Sequence, residues 1–247
     1  MRYLVLTDIH ANLEALQVCL EDAEKHGFDR TLLLGDLVGY GADPNAVIAR
    51  IRELDPAAIV RGNHDKVACG LEQADGFNAV ARSAARWTLD VLLPEHRDWL
   101  AALPEGPIAV DDIVEICHGS PFDEDAYIFD ELDAVRALKV STRMLCLFGH
   151  THFPVTFELS AESFDSVGST SAAETQVQLR DGCKYLINPG SVGQPRDGDP
   201  RAAYAIVDTT ERRVELFRSR YHVDEAQAKI VDAGLPEVLA QRLAVGR

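Results

Sequence analysis

The sequence predicts an α/β protein built on a mainly parallel sheet. Strand-like and helix-like segments alternate from residue 2 to residue 60. The run Leu32-Leu33-Leu34 has no polar face, as expected of a strand covered on both sides. Strand after strand also runs out into an acid, an asparagine or a histidine. In such sheets the C-terminal strand ends form one edge, where ligands sit.

Residues 2–7 read as the first strand, and Asp8-Ile9-His10 as the turn that follows. Asn12 is an N-cap for a helix from Leu13 to about His26, with Leu13, Leu16 and Leu20 at helical spacing and Gly27 ending it. Thr31 to Leu34 is the second strand, running into Gly35-Asp36. Pro44 opens a helix over Asn45 to Leu54. Ala57 to Val60 is the third strand and ends in Arg61-Gly62-Asn63-His64-Asp65.

From 66 to 103 no strand-like run occurs, and the apolar spacing around Val80, Ala84 and Trp87 fits short helices. This stretch reads as a helical insertion next to the functional face. Ile108 to Val110 and Ile113 to Cys117 form an antiparallel pair, the second ending at His118. A helix near Asp130 to Leu138 precedes a strand from Met144 to Phe148, which ends in Gly149-His150-Thr151-His152.

Residues 160–176, rich in Ser, Ala, Thr and Glu, read as an exposed excursion. Val177 to Leu179 and Tyr185 to Ile187 flank Asp181-Gly182, a hairpin signal. The loop Asn188 to Arg196 is rich in Gly and Pro, Ala203 to Val207 and Arg213 to Phe217 alternate as strands, and the last 25 residues read as helical. With no internal repeat and no linker, the 247 residues are expected to form one domain.

Composition narrows the function. Hydrophobic content of 47% allows a substantial core, and no apolar run is long enough for a transmembrane helix. The N-terminus reaches Asp8 too soon for a signal peptide. Five scattered cysteines without a CxxC suggest a reducing compartment, hence a cytoplasmic protein. A net charge of −16 repels a phosphate backbone, and no basic cluster offsets it, so nucleic acid is disfavoured as a partner. A membrane partner is not expected, and a homo-oligomer is left open.

The polar strand ends are Asp8 and His10, Asp36, Asn63 and His64, His118, and His150 and His152. These are oxygen and imidazole donors with no thiolate, a set suited to Mn, Fe, Zn, Co or Ni. They are too many for one ion. Two ions roughly 3.5–4 Å apart need a shared carboxylate, an arrangement that recurs in phosphate-ester enzymes. Each piece alone has a plainer reading: DxH as an N-cap beside a surface histidine, GD as a turn, GNH as a turn with a left-handed asparagine. Their joint occurrence at strand ends makes chance a poor account.

In order along residues 8–152, Asp8-Ile9-His10, Gly35-Asp36, Gly62-Asn63-His64-Asp65, His118 and Gly149-His150-Thr151-His152 resemble the motif set of the calcineurin-like metallophosphoesterase superfamily. The loop from Asn188 to Arg196 and the short length resemble its compact bacterial phosphodiesterase branch.

The resemblance implies a four-layer αββα sandwich of two mixed sheets. It implies that Asp8, His10 and His152 hold one divalent metal, that Asn63, His118 and His150 hold a second, and that Asp36 bridges them. Manganese is the first expectation. A water or hydroxide between the ions would attack phosphorus, and His64, not a ligand, would protonate the leaving oxygen. The expected substrate is a small phosphoester, most simply a phosphodiester. A protein phosphatase, a dinucleoside polyphosphate hydrolase and a non-catalytic scaffold are the alternatives.

Arg61 and Asn12 are weaker candidates for substrate binding. Arg61 reads equally well as a strand-end arginine paired to surface acids, and Asn12 is first an N-cap. Tyr40, Asn45 and the loop containing Ser191, Gln194 and Arg196 could also reach a substrate. His26, His96 and His222 fall outside every motif and are expected at the surface.

Overall fold

Leu32 and Leu33 lie on β2 (Arg30–Leu33), and Leu34 directly follows it. Because side chains alternate along a strand, Leu32 and Leu34 join one apolar core while Leu33 joins another. That split sets the layering. The computed structural model describes residues 1–168 and 172–247.

One six-stranded sheet contains β3 (Ala58–Ile59), β2, β1 (Arg2–Leu6), β11 (Ala202–Asp208), β12 (Arg213–Ser219) and β9 (Glu174–Gln178), in that order. The first three are mutually parallel, and β11 turns the sheet antiparallel beyond β1. The second sheet has the order β4 (Ile108–Ala109), β5 (Val114–Ile116), β6 (Leu145–Leu147), β10 (Lys184–Asn188), β7 (Val155–Leu159) and β8 (Phe164–Val167). Here β5, β6 and β10 are parallel and both flanks are antiparallel.

Between the sheets lie Val5, Leu32, Leu34, Ile116, Leu147 and Ile187, all buried. On the outer side of the first sheet, Leu4, Leu6, Leu33 and Ile206 pack with Leu16 of α1 (Leu13–His26), Ile48 of α2 (Pro44–Glu53) and Leu100 of α5 (Pro94–Ala101). The same core takes in Ile230 of α7 (Val223–Asp232) and Leu239 of α8 (Glu237–Leu243). Outside the second sheet, Cys146 and Leu186 meet Ala134 and Leu138 of α6 (Glu131–Val140). Strand parity therefore yields the four layers, helix–sheet–sheet–helix.

Residues 66–103 contain the rest of α3 (Asn63–Cys69), one turn of 3₁₀ helix (Ala74–Gly76), α4 (Ala79–Val91) and α5. Two local readings of the sequence change in the fold. The excursion over 160–176 contains β8 and the start of β9, and carries the chain from the edge of one sheet to the edge of the other. Residues 169–171 of that stretch lie outside the described residues. The Asp181-Gly182 turn does not close a hairpin, because β9 before it pairs with β12 and β10 after it pairs with β6 and β7. A turn sets the local bend, but which ladder each strand joins depends on long-range partners. No helix of the described residues is long and apolar enough to cross a membrane.

Candidate metal centre

The loops after β1, β2, β3, β5 and β6 deliver the predicted residues to one place. The loop after β1 runs alongside the loop after β2: the N–H groups of Asp8, His10 and Ala11 bond to the carbonyls of Gly35, Asp36 and Leu37 at 3.0–3.1 Å. Likewise Gly149 N–H donates to the His118 carbonyl at 2.8 Å, joining the loops after β5 and β6. Two glycines let these loops close up. A Cβ on Gly62 would stand 2.1 Å from Asp36 Oδ1, and one on Gly149 would stand 2.1 Å from Thr7 Oγ1.

The backbone at these positions is unusual. Asp8, His10, Asp36, His150 and His152 all have φ between 49° and 66°. Non-glycine residues rarely adopt this left-handed region, at a cost of roughly 1 kcal/mol or more each, and such outliers cluster at functional sites.

Two groups of buried donors result: Asp8, His10, Asp36 and His152, and Asp36, His118 and His150. Asp36 belongs to both. Its Oδ2 lies 3.5 Å from His10 Nε2 and 3.5 Å from His118 Nε2. His152 Nε2 lies 3.3 Å from Asp8 Oδ1.

Each of the four imidazoles is held through its other nitrogen. His10 Nδ1 meets the Val38 carbonyl at 3.1 Å, His152 Nδ1 that of Gln194 at 2.7 Å, His118 Nδ1 that of Leu34 at 2.7 Å, and His150 Nε2 that of Asp125 at 3.1 Å. A carbonyl oxygen can only accept, so the nitrogen facing it carries the proton. In a neutral ring the opposite nitrogen then presents its lone pair to the centre, the usual way a ligand imidazole is oriented.

These lone pairs test whether the donors suit a metal. His10 Nε2 and His152 Nε2 face each other at 3.1 Å. Burial holds both rings well below the ordinary histidine range, so no second proton joins them. Two acceptors at that distance repel, and a cation between them removes the conflict. Bonds of about 2.0–2.1 Å to a common ion would put neighbouring donors about 3.0–3.4 Å apart, close to the separations found.

In the second group a proton is already present. Burial opposes charge on His118, but the Asp36 carboxylate outweighs it and raises His118 to about 10. His118 Nε2 stands 3.1 Å from His150 Nδ1, and His150 is lowered to about 3 by burial and by the charge on His118. Asn63 opens α3, and its Oδ1 is buried without a partner. The donors therefore fit divalent metal, and Asp8, His10, Asp36, Asn63, His118, His150 and His152 are the residues that would hold it.

The carboxylates respond to the same surroundings. Asp8 is pushed up to about 7 by burial, against the pull of His118. Its carboxylate accepts from Thr7 Oγ1 at 2.9 Å and from the His150 backbone N–H at 3.1 Å. Burial also opposes charge on Asp36, but the imidazoles of His118 and His64 hold its carboxyl well below the usual carboxylate range.

His64 stands beside the cluster rather than in either donor group. Its backbone N–H donates to Asp36 Oδ1 at 2.9 Å. Its ring packs against His10 at 5.0 Å, Tyr40 at 4.3 Å and Phe77 at 4.5 Å between centroids. Nδ1 is buried without a partner, and burial lowers the group to about 4.

Several other candidates are already occupied. The Arg61 guanidinium grips Glu124 through two bonds of 2.9 and 3.0 Å and reaches Glu105 at 3.1 Å. Asn12 caps α1 by accepting from Ala15 N–H at 3.1 Å, and its amide donates to the Gly193 carbonyl at 2.9 Å and to Tyr221. Asn45 accepts from the Leu93 N–H and contacts His96. His96 is buried by that contact, contrary to its expected surface place, whereas His26 and His222 are exposed. Ser191 donates to the Asp8 carbonyl at 2.7 Å and so braces the first loop.

Sequence reasoning gave Asp65 no role. Its Oδ1 accepts from the backbone N–H groups of Leu37 and Val38 at 2.9 and 3.1 Å, and its Oδ2 from Gly62 N–H at 2.9 Å. It pins the loop that follows Asp36 to the start of α3. An acid at the third helical position after a glycine was the available signal.

The calcineurin-like phosphoesterase superfamily domain matches residues 1–212. An uncharacterized protein of Methanocaldococcus jannaschii, MJ0912, is 39% identical over 249 residues, covering 98% of this chain and 97% of that protein. The crystal structure of a metallophosphoesterase from Sphaerobacter thermophilus superposes with a TM-score of 0.88 at 38% identity, covering 100% of both chains. A hypothetical protein of Pyrococcus horikoshii, PH1004, shares the fold with a TM-score of 0.80 at 21% identity, covering 100% of this chain and 98% of that one. A donor cluster suited to divalent metal, on strand ends of a two-sheet sandwich, thus agrees with the sequence match, and the chain belongs to the calcineurin-like phosphoesterase superfamily as a phosphoester hydrolase.

Proposed function

We propose that this protein is a dinuclear-metal-dependent phosphodiesterase acting on small-molecule or nucleotide substrates. The observation that carries the reading is the placement of Asp36, whose Oδ2 is equidistant from His10 and His118 and so shared by both donor groups. Divalent ions bound there, manganese first among them, would polarise phosphoryl oxygens and acidify a coordinated water.

The chain's own residues supply the rest. The carbonyls of Val38, Gln194, Leu34 and Asp125 fix the four rings in advance, so no reorganisation is needed when substrate arrives. Tyr40 and Phe77 hold the His64 ring and exclude water from it. His64 is neutral at pH 7 in the chain itself. The negative charge of a bound phosphoester raises its proton affinity, so it takes up a proton with substrate and passes it to the leaving oxygen.

Two features support a diester with an aromatic group. At a net charge of −16 the protein repels a doubly charged monoester more than a singly charged diester. Beside the cluster, Tyr127 stacks on His150 with centroids 3.8 Å apart, and Phe129 stacks on Tyr127 at 5.0 Å and 7°. Phe129 is 67% exposed and offers a flat face of the kind on which a nucleobase stacks. The test is hydrolysis of bis-p-nitrophenyl phosphate with manganese and other divalent metals. Turnover supports the reading; no turnover with any metal, in protein shown to be metal-loaded, overturns it.

A further inference from the structure

Acids outnumber basic residues 40 to 24 in this chain, so two half-buried arginines that face each other rather than a carboxylate are a costly arrangement. Arg196 and Arg242 are two such arginines, and they share one neighbour. Arg196 Nη2 donates to Gln194 Oε1 at 3.0 Å, and Arg242 Nη1 approaches the same oxygen at 3.5 Å. The Nε atom of each is buried without a partner. Burial and the charge on Arg196 both lower the proton affinity of Arg242, so the two guanidiniums repel each other across the amide. A pair of like charges, half-buried, with two orphaned donors and one shared neutral acceptor is an arrangement whose repulsion an anion would relieve.

The pair lies one aromatic ring away from the metal centre. The Arg196 guanidinium carbon sits 5.8 Å above the Tyr40 ring, and Tyr40 packs edge-on against His10 at 4.7 Å. The backbone carbonyl of Gln194 orients His152, while its side chain receives both arginines. His10, Tyr40 and Gln194, which link the two places, also line one crevice together with Leu243 of α8. Arg242 comes from α8, at the far end of the chain from the ligand motifs.

The geometry points to a second anion-binding subsite, formed by Arg196 and Arg242 across Gln194, that takes a further phosphate group of a substrate whose scissile phosphoester lies at the metal centre. Guanidinium forks suit phosphate oxygens in paired hydrogen bonds, here through their outer nitrogens, since each Nε is buried. The proposal rests on the phosphodiesterase reading for the scissile bond and extends it to substrates with at least two phosphates.

The test compares the dithymidine dinucleotide TpT with its 5′-phosphorylated form pTpT on the metal-loaded full-length chain. Wild type is expected to prefer pTpT at least tenfold in kcat/KM, chiefly through a lower KM. Arg196→Gln and Arg242→Gln, made separately so that either reports if the other does not fold, each reduce that preference towards one. Arg50→Gln, which alters a surface arginine paired with Glu53 on α2, keeps it. Where neither dinucleotide turns over, equilibrium binding of both to the same preparation gives the same comparison. Equal handling of TpT and pTpT by wild type, or a preference that survives in both variants, overturns the subsite. A binding preference for pTpT without hydrolysis of any diester would instead overturn the catalytic reading and leave the subsite standing.

Discussion

Asp36 Oδ1 accepts a hydrogen bond from the backbone N–H of His64 at 2.9 Å, while its Oδ2 faces His10 and His118. One carboxylate thus joins the two donor groups and also fixes the start of the helix that carries Asn63 and His64. Asp36→Asn removes the charge from both groups. Metal affinity, measured by titration with a chromophoric chelator, is expected to fall by more than the 10–100-fold typical of losing an outer partner. Wild-type affinity in the variant would refute the shared role.

His64 packs against His10 but belongs to neither donor group, so His64→Ala should separate binding from chemistry. Metal content by elemental analysis stays at the wild-type level, and kcat on bis-p-nitrophenyl phosphate falls about 10²–10⁴-fold, the usual worth of general acid catalysis. Equal loss of metal and activity would place His64 among the ligands instead.

Metal binding must displace protons, and the shifts set how many. His118 is raised from an ordinary 6.5 to about 10, so its extra proton is present throughout the neutral range. Asp8 is raised from 3.8 to about 7, so it holds a proton only below that pH. His10, His150 and His152 are lowered and contribute none. Binding is expected to release about two protons at pH 6 and about one at pH 8.5, with affinity rising with pH throughout and more steeply below pH 7. Calorimetry in buffers of different ionisation enthalpy measures this directly. In the metal-free chain the sign is reversed for His118: its stabilisation is complete below pH 6.5 and lost as pH rises through about 10.

Asp65 is buried and satisfies three backbone N–H groups. Asp65→Ala leaves all three without a partner and should cost about 3–5 kcal/mol of stability by urea unfolding. Asp65→Asn keeps an oxygen for Leu37 and Val38 but turns an amide towards Gly62, and should cost about half as much. Equal stability of all three proteins would show that water replaces the carboxylate.

The exposed ring of Phe129 gives a substrate test. Phe129→Ala should raise KM for a thymidine 5′-phosphodiester about tenfold, in line with 1–3 kcal/mol per stacked base. KM for dimethyl phosphate, which has no ring to stack, should not change. An equal effect on both would rule out stacking.

The donors could be read from the sequence because each follows a strand and the ladder fixes where a strand ends. Leu32-Leu33-Leu34 announced its own burial, and Gly35-Asp36 marked the exit. For Asp65 the helix-start position signalled its bond to Gly62, but its bonds to Leu37 and Val38 on another loop are revealed by no residue type. Arg242 could not be placed at all: α8 looks like any short amphipathic helix, and only its docking beside Gln194 brings that side chain near the centre. The Asp181-Gly182 turn gave a local signal that was correct about the bend and uninformative about which sheet each strand would join.

The left-handed backbone at residues 8, 10, 36, 150 and 152 has a historical consequence. Glycine would suit each of those torsions better than the residue present, but the Asp8 and Asp36 side chains also hold buried backbone N–H groups, so retained chemistry and those bonds oppose its accumulation there. A descendant freed from catalysis should drift to glycine or asparagine at these five places before its core changes. The identity of five residues is then a fossil record of whether a lineage still works as an enzyme.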